Sequence, residues 1–343
     1  MIKSIRNLLL FLLVIVGLYV MHSLSSIMLP LVIAVMFVLI YEPIFSLLHK
    51  KKIPAWLITP VLAVGTIFLL IFIVQIFANT TQTIIGERKI LGALLYNKVL
   101  GLIDYFNNVL PINIDSSIIT DAIDSILSTS NISSFAGNGF SLLSSFGSSF
   151  FMFSLYFLIL LFSMSGYDKY IKYIAGDDDK FLINAKHIQK SIVSYMTVKF
   201  IVSLITGSIA LIVCILFGVK YAIFWGFITF LLNFIPTIGS LIATTLPTLM
   251  AFIQFDSMFK VFLILIILFG VQMTIGNIIE PKIMGNRLRL NTVTIIFGLV
   301  FWAFIWGIAG AFLSVPLLVI LKIFLQNNES LEFIGRIMGI PEK

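Results

Sequence analysis

Four residues in the carboxyl half could do chemistry at membrane depth. Gln272, Gly276, Asn277 and Glu280 fall within about 140° of one helix face at 100° per residue. Polar groups on a buried membrane face are costly, and they commonly line a path or hold a coupling ion. Asn233 stands three residues before Pro236, where an amide can bond backbone groups freed by the proline or simply cap a helix. Exchange of a proton for a cation needs a carboxylate, and the candidates are Glu280, Glu42 and Asp168. Glu280 and Glu42 each precede a proline, which places them at helix ends. There a snorkelling or loop-bonded carboxylate and a coupling site are equally open readings.

Other chemistries lack their parts. Three consecutive carboxylates, Asp177 to Asp179, cannot all face one ion, so they read as a solvated turn and no metal site is expected. His22, His49 and His187 lie outside the apolar runs, and no H-E-x-x-H, Gly-x-Ser-x-Gly, Gly-x-Gly-Asp or P-loop occurs. Neither an intramembrane hydrolase nor an ATP-driven pump is expected, and no cofactor is called for. Cys214, the single cysteine, lies in an apolar run and reads as a small hydrophobe.

The elements that must position these groups follow from composition. Of 343 residues, 60% are apolar and 11% charged, with 33 Phe, too much apolar surface for a water-soluble core and too little charge for disorder. The expected fold class is an all-α polytopic membrane protein of about eight spans. Lys3 and Arg6 precede a run from about Leu8 to Met21; a short turn leads into a second run from Ile27 to about Leu48. The basic knot His49 to Lys52 ends it, and a third run extends from Trp56 to about Ala78. These form an amino-terminal unit, 1–78. Residues 79–149 are an amphipathic outer segment, in which Ile84, Leu91, Leu94, Leu95, Val99, Leu102, Ile103 and Phe106 recur at helical spacing and Ser128 to Ser149 reads as a linker. A further span at 150–165, an amphipathic inner segment at 166–199, a membrane core at 200–325 and a tail at 326–343 complete the division. With both termini inside, 17 of the 22 Lys and Arg residues fall on the inner side, which satisfies the positive-inside rule. The net charge of +7 is thereby explained by the membrane surface, with no nucleic-acid partner.

Two of the core runs are interrupted. Asn233-Phe-Ile-Pro-Thr-Ile-Gly239 breaks one and Trp306-Gly-Ile-Ala-Gly310 the other, and Gly226, Gly239 and Pro247 correspond to Gly298, Gly310 and Pro316 at a spacing of about 71 residues. The runs start from opposite sides, so they would be inverted repeats. Paired, Gly/Pro-broken segments of opposite orientation point to a secondary-transporter site. The plainer reading is that glycine and proline let membrane helices pack or kink. Whether each run crosses twice or re-enters stays open on sequence.

The order Asn233 to Gly239 with Pro247, then Asn277-Ile-Ile-Glu-Pro-Lys-Ile-Met-Gly285, then Gly307-Ile-Ala-Gly-Ala-Phe-Leu-Ser-Val-Pro316 and Lys322 resembles the signature of the autoinducer-2 exporter family, over nearly the whole chain. Thr237, where the family often has an aromatic residue, and Asn291, where His-Pro is common, depart from it. The resemblance implies export of a small solute, with autoinducer-2 as one candidate, or exchange of sodium or lithium for protons, and it implies a homo-oligomer in the cell membrane. On this reading Pro236, Gly239, Pro247, Gly310 and Pro316 shape a path, and Asn233, Gln272, Asn277 and Glu280 line it or couple it. A non-transporting scaffold is the remaining alternative.

Overall fold

In lipid an unpaired backbone amide has no water to turn to, so the apolar runs become helices. The computed structural model describes residues 2–109, 149–176, 179–284, 290–326 and 331–339. The helices are α1 (Ile2–Ser23), α2 (Ser25–Lys50), α3 (Ala55–Gly86), α4 (Arg88–Val109), α5 (Ser149–Ser163), α6 (Tyr167–Ala175), α7 (Asp179–Phe217), α8 (Ala222–Leu232), α9 (Ile238–Gln254), α10 (Met258–Thr274), α11 (Glu280–Met284), α12 (Thr292–Gln326) and α13 (Glu332–Ile337). A π-turn, Ile275–Ile279, joins α10 to α11. Among the described residues, five helical stretches are long and apolar enough to cross a membrane, and α5, α8 and α9 are shorter apolar helices. The fold is the expected all-α polytopic one.

Breaks and joins have local causes. Proline at position 281 would press its ring on the carbonyl four residues earlier in a regular helix, and the wider π-turn immediately before it relieves that contact. Pro30 and Pro60 lie inside α2 and α3, each one turn past the start, where each withholds one helical hydrogen bond from the carbonyl four residues back. Asn291 caps α12, its Oδ1 accepting from Thr294 N at 2.7 Å, while its Nδ2 donates to the Ile337 carbonyl at 2.6 Å. The residue that departs from the family pattern therefore ties the start of α12 to α13.

Three apolar clusters hold the bundle. Phe153, Phe157 and Leu161 of α5 pack on Ala34 and Ala63 of α2 and α3. A second cluster joins α7, α8, α9 and α10 around Cys214, Trp225, Met250 and Ile264. The third is built on the return arm of α12 and reaches Met36, Tyr195, Leu290 and Met338. Between α7 and α8 the chains approach closely: a Cβ at Gly207 would lie 2.7 Å from Phe230 Cβ and one at Gly226 2.6 Å from Leu211 Cβ. Small residues let membrane helices gain contact where no hydrophobic force drives them together.

The outer segment is helical as far as it is described, in the end of α3 and in α4, with Ile103 buried and Leu91 packed on the second cluster. The expected linker before Ser149 and the acidic residues Asp177 and Asp178 lie outside the described residues. The inner segment does not end at Lys199: α7 runs unbroken from Asp179 to Phe217.

Candidate functional site

Both interrupted runs fold back as helical hairpins, and they enter from opposite ends of the molecule. In the first, α8 and α9 flank a break at residues 233–237. Its two feet stand together: Gln254 Nε2 donates to the Gly218 carbonyl at 2.7 Å and Gln254 Oε1 accepts from Lys220 N at 2.8 Å. The corner between α3 and α4 closes on the same end. Glu87 Oε2 accepts from Lys220 Nζ at 2.8 Å and from Tyr221 Oη at 2.9 Å, and Lys98 Nζ donates to the Phe255 carbonyl at 2.5 Å. Hydrogen bonds from Lys220 and then Tyr221 hold the Glu87 carboxyl below its usual range. Burial, with the Glu87 bond second, pushes Tyr221 up to about 12.

The second hairpin lies within α12, whose helical path breaks at Trp306 and at Gly307, with φ of 64° at the glycine. Its feet meet at the other end, where Asn291 N donates to the Met338 carbonyl at 3.0 Å and Gly335 packs against Gln326. Hydrogen bonds between distant feet return each run to the end from which it started.

The two breaks share one device. A Cβ on Gly239 would strike the Leu232 carbonyl, and a Cβ on Gly310 would strike the Trp302 carbonyl. At both positions of the repeat, a bare Cα lets the return arm start directly against a carbonyl in the last turn of the entering arm. Pro247 and Pro316, further along the return arms, are fully buried. The breaks also meet across the interior: the rings of Phe234 and Phe312 stack with centroids 4.5 Å apart. Pro236 is half-buried and Thr237 exposed at the first tip, and Thr237 takes a positive φ of 62°, a strained backbone for a β-branched residue.

Polar groups gather along one face of α7. Lys199, Ser203 and Thr206 are all buried at positions i, i+4 and i+7, the spacing of a single helix stripe. Lys199 Nζ is 2.6 Å from Glu280 Oε1, with both side chains largely withdrawn from solvent. Ser203 Oγ accepts from Asn233 Nδ2 at 3.1 Å, so the first tip reaches within one turn of α7 of the ion pair. Gln272 is buried too, and its Oε1 has no hydrogen-bond partner.

The π-turn sorts the face expected on α10. A straight helix would set Gln272 and Glu280 about 80° apart, and the extra residue of a π-turn brings them to about 20°. Both point inward, while Asn277 is exposed and its Nδ2 lies 3.0 Å from Met273 Sδ. Glu42, in α2, is half-buried; the side chain of Asp168 lies outside the described ones. Sequence reading took Lys199 for the inner boundary of a span and missed it as a site residue. Its only early signal was a lysine four residues ahead of Ser203 in a stretch that is otherwise apolar. Lys322, quoted for the family resemblance, is buried in the return arm of the second hairpin.

Apolar helices of spanning length around two opposed helical hairpins define a multi-pass membrane protein. Residues 8–329 match the model of the AI-2E family transporters. The chain belongs to that family and is a membrane transporter. It is 29% identical over 335 residues to a putative transport protein of Haemophilus influenzae, covering 93% of this chain and 91% of that one. It is 35% identical over 156 residues to a putative transport protein of Borreliella burgdorferi, 45% of this chain and 43% of the other. With the AI-2 transport protein TqsA of Escherichia coli it shares 36% identity over 138 residues, 40% of each chain.

Proposed function

We propose that the protein exports a small polar solute across the cell membrane by a secondary or facilitated mechanism, with autoinducer-2 as the solute to test first. The observation that carries this reading is the meeting of two opposed hairpin breaks in the interior, through Phe234 and Phe312, with buried amides beside them. Broken helices at depth offer backbone dipoles to a polar solute, and an apolar stacked pair between the tips is a barrier that a small displacement of either tip opens. Pro236, Gly239, Pro247, Gly310 and Pro316 shape the path on this proposal. Asn233 and Gln272 line it, Asn277 serves its outer margin, and Glu280 couples it. The similarity to TqsA supports the choice of solute. The lysine-rich segments favour both termini inside, and lipid and a second copy of the chain are its expected partners.

The test is flux in proteoliposomes. Autoinducer-2 efflux that depends on the protein and is lost in Gly239→Leu, while that variant still inserts, is the expected result. Flux in the wild type no greater than in protein-free vesicles would move the reading to a scaffold, and wild-type flux retained in Gly239→Leu would remove the first hairpin from the path.

A second reading, exchange of sodium or lithium for protons, is favoured by one observation, the buried Lys199–Glu280 pair. Sodium-driven proton movement in the same vesicles, abolished by Glu280→Gln, would establish it.

A further inference from the structure

The two feet of the first hairpin are fastened by one stripe of a neighbouring element. Glu87, Leu91 and Lys98 stand at i, i+4 and i+11, which at 100° per residue sets them within about 40° of one helix face. The α4 helix packs on α9, and this stripe meets both feet. Glu87 accepts from Lys220 and Tyr221 at the start of α8, and Leu91 packs on the second apolar cluster. Lys98 donates to the carbonyl of Phe255, the C-cap of α9, with Asp256 Oδ1 3.3 Å away. Behind the corner, Phe77 of α3 packs edge-on against Phe224 and Phe227 of α8. The order of charge fits the order of helix ends. A helix begins with unpaired N–H groups and ends with unpaired carbonyls, so an acid suits the start of α8 and a base the end of α9. The acid also holds a costly backbone: Tyr221, the N-cap of α8, has a φ of 61°, a left-handed conformation that a tyrosine keeps only under constraint.

We propose that the α3–α4 corner and α4 form a strap across the first hairpin, and that the strap governs the hairpin tip. Gln254 ties the two feet into one block, and α8 and α9 lead from that block to the break at residues 233–237. A tilt of the block is therefore carried to Phe234 at the far end. With the strap fastened, Phe234 stays against Phe312; with it lifted, the tip keeps only its own bond from Asn233 to Ser203. The fastening is of a kind that opens and closes. The side chains of Lys220 and Glu87 are 42% and 32% exposed, so water can take the place of their bond at little cost, whereas a permanent seal would rest on buried apolar surface. Leu91 alone supplies that between the two polar contacts of the stripe. The effect of the strap on flux rests on the exporter reading above; its hold on the tip does not.

The experiment follows amide hydrogen exchange by mass spectrometry in the full chain in detergent at neutral pH. In Glu87→Gln combined with Lys98→Met, exchange at residues 233–241 of the first tip should rise about tenfold, the factor that one or two lost hydrogen bonds make in an opening equilibrium. Residues 305–311 of the second tip should keep the wild-type rate. Faster exchange confined to the feet, at residues 218–222 and 253–256, overturns the proposal, and so does an equal rise at both tips, which is general loosening. A converse variant guards against a defect of folding. Lys98→Cys with Asp256→Cys, in a chain carrying Cys214→Ala and joined by a bis-maleimide, should slow exchange at the first tip below the wild-type rate, and a joined chain that exchanges there at the wild-type rate also overturns the proposal. In proteoliposomes the joined chain should lose the autoinducer-2 efflux that the unjoined variant shows. Absence of efflux from the wild type, with the exchange results as expected, would count against the exporter reading alone.

Discussion

The two hairpins repeat one backbone device in different surroundings. Each turns on a glycine pressed against a carbonyl of the arm before it, yet the tips are held by unlike means. The second is fastened by aromatic and imidazole donors: Trp306 Nε1 donates to the Met21 carbonyl at 3.0 Å and His22 Nδ1 to the Ile305 carbonyl at 2.8 Å, with Trp302 and Trp306 buried at the break. The first is held by one side-chain bond, Asn233 to Ser203, and ends in an exposed, strained Thr237. A duplicated frame thus supplies one tip tied to the α1–α2 turn and one tied to a polar stripe on α7. On that asymmetry in side-chain bonds the first tip is expected to open at lower cost than the second.

The sharpest way to probe the polar side is to split its ion pair. Glu280→Gln or Lys199→Met alone should destabilise by about 3–5 kcal/mol, and the pair changed together by far less, because an uncompensated buried charge is the cost. Unfolding midpoints in detergent read this directly. If each single change costs no more than the double, the ionic fastening of α7 to α11 is absent. Next in size, Gly239→Ala and Gly310→Ala should each lose about 3 kcal/mol through a Cβ that meets backbone with nowhere to go. A marked difference between them would break the equivalence of the two turns.

Smaller effects separate the tips. Trp306→Phe should cost about 1 kcal/mol, for the loss of one hydrogen bond with packing largely kept, and should speed hydrogen exchange at the second tip alone. Asn233→Ala should do so at the first tip alone, and a crossed pattern would merge the two fastenings into one unit. The smallest effect is at the feet. Glu87 has its carboxyl held low by Lys220 and Tyr221, so its support of the first hairpin is complete above the usual carboxylate range and is lost as pH falls through the lowered folded value. Tyr221 works in the opposite sense: its support is whole below the ordinary tyrosine range and is lost as pH rises through about 12. Hydrogen exchange of residues 86–91 at acid pH, compared with residues 291–295 of the second hairpin, checks the first of these. Equal acceleration at both places would show a global effect of acid.

The spans could be read from sequence because lipid is a uniform solvent: a long apolar run has few destinations, and α2, α3 and α12 follow their runs closely. The hairpin breaks could be read too, since glycine and proline announce where helix backbone fails. The pairing of the feet could not, because hydropathy records depth along a run and not where its foot returns; that lay in contacts such as Gln254 to Gly218. The ion pair was invisible for a similar reason. Lys199 and Glu280 are 81 residues apart, and a lysine at the edge of an apolar run looks like any boundary charge. Regular helical phase also misled. It placed Asn277 with Gln272 and Glu280, and the π-turn ahead of Pro281 sends its amide to the surface.

The stacked pair at the centre carries a consequence for biosynthesis. Phe234 meets a ring that the ribosome makes 78 residues after it, which at about 5–20 residues per second is a wait of roughly 4–16 s. Meanwhile α8, with 11 residues, is about 16 Å long, too short to cross the hydrocarbon alone. The nascent first hairpin therefore has α7 to pack on but no facing tip while the rest of the core is being made. The order of the two hairpins along the chain thus leaves the Phe234 ring without its stacking partner for seconds of synthesis.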